Sequence, residues 1–135
     1  MFTLHAFIAS AADVQSLEAL EPKLTRIFQG QHSAPPDVSS NTLPFKNAAR
    51  LLYHWPTWSF SVTCESGAEV AADAKFVAQE TGVVFPGRLP VDRIHIVFAQ
   101  DESCDFTNHI IWITDWLKEE IPSVVLYDEA SKCLC

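Results

Sequence analysis

The chain has 135 residues, a length that fits one domain. Apolar residues make up 48% of it, enough to bury a core and too many for a disordered chain. Nine basic residues against 17 acidic give a net charge of −8, the reverse of what phosphate contacts require. Nucleic acid and an anionic membrane surface are therefore excluded as expected partners.

The N-terminal stretch lacks a basic region and is too short for a secretory signal, so it reads as a strand. Phe2, Leu4, Ala6 and Ile8 fall on one face, and His5, Phe7 and Ala9 on the other, the pattern of a strand buried on both sides. Ser10, followed three residues later by Asp13, forms a capping pattern. Val14, Leu17, Leu20, Leu24, Ile27 and Phe28 then recur at helical spacing. Pro22 predicts a kink or two consecutive short helices, and Gly30 ends the segment.

Residues 31–46 are rich in Ser, Pro, Asn and Gln without a periodic apolar face, and read as a long irregular loop. Residues 47–55 fit a short helix or a strand. Trp58, Phe60, Val62 and Cys64 alternate with Ser59, Ser61, Thr63 and Glu65, which predicts a half-buried strand. Past Gly67, the residues Val70, Ala74, Val77 and Ala78 mark a helix ended by Gly82. Residues 83–85 suggest a short strand before the Pro86-Gly87 turn, and residues 93–99 a second two-faced strand.

A polar loop follows at 100–105, then a helix near 108–120 capped by Thr107 or Asn108. Ile110, Trp112, Ile113, Trp116, Leu117 and Ile121 cover one arc of that helix, and Pro122 stops it. Residues 124–127 form a last apolar strand before a short tail, 128–135. The pattern predicts a single α+β domain (α/β mixed), a mixed sheet packed with about three helices. Residues 93–127 read as a β-α-β unit whose two strands would be parallel neighbours. No apolar run approaches the roughly 20 residues that cross a bilayer.

The parallel pairing carries the first candidate site. It would place Asp101 and Glu102 after one strand and Asp128 and Glu129 after the next, where ligands of open sheets bind. Asp101 and Asp128 become candidate Mg²⁺ ligands and His109 a candidate acid or base. Acidic residues are common in loops, and carboxylates before a helix also complement its dipole. Tyr53, His54, Trp55 and Trp58 crowd around Pro56 as a candidate interface, with Trp55 as the more exposed ring and Trp58 in the core. His5 and His95 read as core histidines and His32 as a solvated loop residue. No H-E-x-x-H metal motif, G-x-S-x-G elbow or phosphate-binding loop is visible.

Cys64 falls on the apolar side of its strand, and Cys104 sits between Glu102 and Asp105, a poor setting for a thiolate. Cys133 and Cys135 form an exposed Cys-x-Cys tail. With no signal segment, the cysteines read as thiols of a cytoplasmic protein. The expected function is a binding protein without enzymatic activity or cofactor that covers a basic protein partner, as an inhibitor or immunity-type protein does. Tyr53, Trp55, Asp101, Glu102 and Asp105 are its expected contacts. One alternative is a small metal-dependent enzyme acting on an anionic substrate through Asp101, Asp128 and His109. Another is a subunit of a homo-oligomer that uses Trp112 and Trp116.

Overall fold

The apolarity on both faces of the first strand follows from its place in the sheet. The computed structural model describes residues 2–29, 34–43 and 48–135, so Gly30 and His32 lie outside the described residues. Strand β1 (Phe2–Ile8) lies between two other strands with helices over both its faces. Leu4, Ala6 and Ile8 pack with the larger core, and Phe7 with a smaller one on the reverse side.

A short 3-10 turn (Ala11–Asp13) leads to helix α1 (Leu17–Arg26). The segment does divide in two, but the break falls before Ser16 and Pro22 lies inside α1. Ser16, not Ser10, caps the helix, its hydroxyl accepting the Ala19 amide at 3.1 Å. Strands β2 (Asp37–Thr42), β3 (Ala49–Trp55) and β4 (Trp58–Ser66) follow, then helix α2 (Ala68–Thr81). The expected loop at 31–46 therefore contains a strand, and residues 49–55 are a strand too. Strand β2 lacked an apolar signature because it is an edge strand with mostly exposed side chains.

Gly82 ends α2 in the left-handed conformation, with φ of 74°. No strand forms at 83–85. Strand β5 (Asp92–Phe98), helix α3 (Thr107–Glu120), β6 (Val124–Asp128) and the two-residue β7 (Cys133–Leu134) complete the order. The tail is thus partly a strand, paired with β6. Thr107 and Asn108 do not cap α3. Asp101 instead fixes the turn that enters α3, accepting the amides of Asp105 at 3.1 Å and of the N-cap residue Phe106 at 2.8 Å.

The described strands form one seven-stranded antiparallel sheet in the order β2-β3-β4-β5-β1-β6-β7. The expected parallel pairing of β5 with β6 is corrected by this order. Both pair antiparallel with β1, so they run the same way with β1 between them. The β5-α3-β6 unit exists but skips a strand, because the slot beside β5 was open to the N-terminal strand. Sequence periodicity identifies a strand and says nothing of which neighbour takes that slot.

Helices α1 and α3 bury Leu20, Leu24, Ile113 and Leu117 against one face of the sheet. Trp58, Phe60 and Val62 are buried there as the alternation predicts, and Ser59 and Ser61 are half-buried on the reverse face. Thr63 departs from that pattern and is buried. Helix α2 covers only part of the reverse face, through Val70, Ala74 and Val77. No described helix is long and apolar enough to cross a membrane.

Candidate ligand site on the α2 face

Strand register gathers ionisable residues on the reverse face. Thr63, His95, His5 and Tyr127 lie opposite one another in a row across β4, β5, β1 and β6. Glu65, Arg93, Phe7 and Val125 form the next row. The two-residue period of a strand puts both rows on the same side.

Arg93 is the centre of the cluster, only 6% exposed. Its Nη1 donates to Asp73 Oδ2 at 2.6 Å, and its Nε donates to Glu65 Oε1 at 3.2 Å. Nη1 also lies 3.3 Å from His5 Nδ1, and the guanidinium carbon stands 6.0 Å from the Phe7 ring centre. A buried guanidinium is tolerated because carboxylates on two sides offset its lost hydration. His95 Nδ1 lies 3.2 Å from Glu65 Oε1. The hydrogen bond from His95, and then those from Arg93, bring the Glu65 carboxyl down to about 2. Burial, reinforced by His95 and Arg93, pushes the His5 imidazole below its ordinary value. A guanidinium can only donate, so His5 Nδ1 accepts and Nε2 carries the proton. Nε2 faces Glu129 Oε1 at 3.7 Å.

Beyond the edge of α2 the cluster opens into a cavity of about 300 Å³. Its walls are apolar: Phe7, Phe76, Val77 and Tyr127. Its polar groups are His5, Asp73, Glu129 and Lys132. Phe76 is 55% exposed, and Leu134 on β7 is exposed opposite Tyr127. Apolar walls with a few converging polar groups are the ordinary make-up of a small ligand site.

Of the residues singled out from the sequence, Glu129, His5 and His95 fall at this site, while the candidate metal ligands, acid or base and partner contacts lie elsewhere. Asp101 holds the start of α3 through two amides. Asp128 accepts from the Ala130 amide at 2.9 Å and from the Ser131 hydroxyl at 2.7 Å. His109 is buried under α3 in the larger core region, stacked on Phe28. The three form no common site, and no described group of three or more His, Cys, Asp or Glu could hold a metal ion. Glu102 and Asp105 line a shallow polar cavity of about 320 Å³ with Asp101.

Trp55, expected as the exposed ring, is buried, and its Nε1 donates to the Ala34 carbonyl at 2.8 Å. Tyr53 is buried too, its hydroxyl 2.8 Å from Thr25 Oγ1 and donating to the Glu21 carbonyl. Burial raises that hydroxyl to about 12. Both rings belong to the core because β3 turns its alternate residues toward α1. Trp112 and Trp116 are half-buried against the same core. Comparison of the chain with protein-family models, with curated proteins and with solved structures gives no match.

Proposed function

We propose that the chain is a non-enzymatic binding protein that covers a basic surface of a partner protein, as inhibitors and immunity-type proteins do. The α2-face cavity would receive a lysine or arginine side chain of that partner. The observation that carries this is the make-up of the cavity: apolar walls suited to an aliphatic stem, with Glu129 at the rim, 62% exposed at its side chain. The net charge of −8 favours approach of a basic surface. Phe76 takes the place of Trp55 as the exposed aromatic anchor. The cytoplasm, whose reducing poise keeps thiols such as these four free, is the compartment that goes with this function. No observation favours the metal-dependent enzyme or the homo-oligomer over it.

The test is an NMR titration with Nα-acetyl-arginine amide, Nα-acetyl-lysine amide and the neutral Nα-acetyl-norleucine amide. The cationic probes should shift resonances of His5, Phe76, Tyr127 and Glu129, and Glu129→Gln should weaken the effect. Equal binding of the neutral probe, or shifts confined to other surfaces, would refute the site.

A further inference from the structure

His109 has no hydrogen-bond partner among the described residues. It is 5% exposed, and neither ring nitrogen is bonded within them. Five aromatic rings surround it. Phe28 stacks on it at 5.7 Å, and Trp55 meets it edge-on at 5.1 Å. Trp58, Phe106 and Trp112 close the box at 5.9, 5.0 and 4.9 Å. An imidazole here leaves an N–H and a lone pair unsatisfied, which costs more than a leucine of similar size would. What the imidazole adds is a place for a proton.

We propose that His109 is an acid-sensitive latch: neutral, it holds the first turns of α3 against the β3–β4 hairpin, and protonated, it releases them. None of the rings facing it, Phe28 from the turn after α1, Trp55 from β3, Trp58 from β4, Phe106 from just before α3 and Trp112 from α3, can balance a charge by ionising. Asp101, in the loop before α3, is the charge that acts on His109, and its carboxylate is already held by the Asp105 and Phe106 amides. From the other elements, Arg26 of α1 lines an outer groove with Trp116, and His54 of β3 is exposed. Glu65 of β4 lies on the reverse face with Arg93. The segment that would move is short. It carries Asp101, Phe106 and the first turns of α3, and Trp58 Nε1 ties its start by donating to the Ala99 carbonyl at 3.0 Å. Burial holds the His109 imidazole below its ordinary value, so the proton binds more tightly in the open form and acid shifts the balance toward opening.

Amide hydrogen exchange at pH 7.5, 6 and 5, corrected for the intrinsic rate, reads the latch directly. Opening of residues 107–113 should rise about tenfold per pH unit below about 6.5, while β4 and β5 stay protected. His109→Leu should abolish that rise, and His54→Gln, at an exposed histidine, should leave it. Uniform loss of protection across the sheet and α3 would overturn the latch, as would an unchanged rise in His109→Leu. The wild-type protein gives a check that needs no variant to fold. If the His109 ring, followed by nitrogen chemical shift, takes up its proton while α3 stays protected, the latch is refuted.

Discussion

His5 and His95 lie face to face across the β1–β5 seam, ring centres 4.8 Å apart and planes 21° apart, and each is held by a different partner. Arg93 donates to His5 Nδ1, while Glu65 accepts from His95 Nδ1. Burial, with His95 and Arg93 beside it, lowers His5. Unfolded, His5 takes a proton near pH 6.5; folded, it resists until lower pH. Stability from this group is therefore present above about 6.5 and lost as pH falls through its lower folded value. His109, also lowered, adds the same sign in the same window. Denaturant titrations from pH 8 to 5 should show the midpoint falling below about 6.5. His5→Gln should flatten part of that slope. An acid limb unchanged in His5→Gln would mean that this histidine is not linked to folding.

Arg93 offers a larger effect. It joins Glu65 and Asp73, and its side chain is 7% exposed. Arg93→Ala removes the guanidinium and leaves the inward Glu65 carboxylate with less compensation. Breaking a buried pair from one side costs about 3–5 kcal/mol. Asp73 is half exposed, so Asp73→Asn should cost far less, within about 1 kcal/mol. Equal losses in the two variants, measured by urea denaturation, would show that burial is not what sets the value of these bonds.

The core makes a simpler case. Phe60 is buried and stacks on Tyr53 with centres 4.7 Å apart and planes 3° apart. It also meets Phe28 and Phe98. Phe60→Ala should destabilise by about 3–5 kcal/mol, the usual range for losing a buried phenylalanine. A loss below about 1 kcal/mol would contradict this packing.

How much of this was legible in the sequence can be traced residue by residue. Trp58, Phe60 and Val62 announced their strand because one face of β4 is fully packed and the other is only partly covered by α2, so the alternation survives over most of it. The exposed Ser39 and Ser40 of β2 announced nothing, since an edge strand borders solvent and needs no apolar face. The partner of β6 was illegible for another reason: pairing is non-local, and β1 comes from more than 110 residues away in sequence, as with Ile8 and Val124. The ionisable cluster did leave a trace. Arg93 and His95, like His5 and Phe7, are two residues apart, which puts each pair on one face of its strand. Reading that spacing as a polar row, not as isolated core histidines, would have found it. Trp55 misled because adjacency to Pro56 says nothing about which side of β3 it faces.

Asp101 serves as a helix-start acceptor, so its substitution should act on stability and not on metal affinity. Asp101→Asn keeps one acceptor oxygen; Asp101→Ala keeps none and should cost about 1 kcal/mol, typical of a lost side-chain hydrogen bond. Mg²⁺ at millimolar concentration should leave the melting temperature unchanged in the wild type. A rise that Asp101→Asn removes would restore Asp101 as a metal ligand, since a ligand bound only to the native state stabilises it by mass action.

The proposed basic partner should betray itself through salt and through Lys132. Long-range attraction to a surface of net −8 acts on the approach and is screened over about 8 Å at physiological ionic strength. Raising salt from about 50 to 500 mM should therefore slow association far more than it hastens dissociation. Short-range contacts respond differently. Phe76 is an exposed wall of the cavity, so Phe76→Ala should raise the dissociation rate and leave association nearly unchanged. Lys132, held in the β6–β7 turn with φ of 56°, lines the same cavity with its own positive charge. It repels an incoming lysine or arginine, and removing it should tighten binding. Lys132→Ala should thus lower the Kd for a basic partner or for Nα-acetyl-arginine amide, and Glu129→Gln should raise it. Opposite signs for these two neighbours are what a cationic guest requires. If Lys132→Ala weakens binding while Glu129→Gln strengthens it, the guest is an anion and the partner surface is acidic.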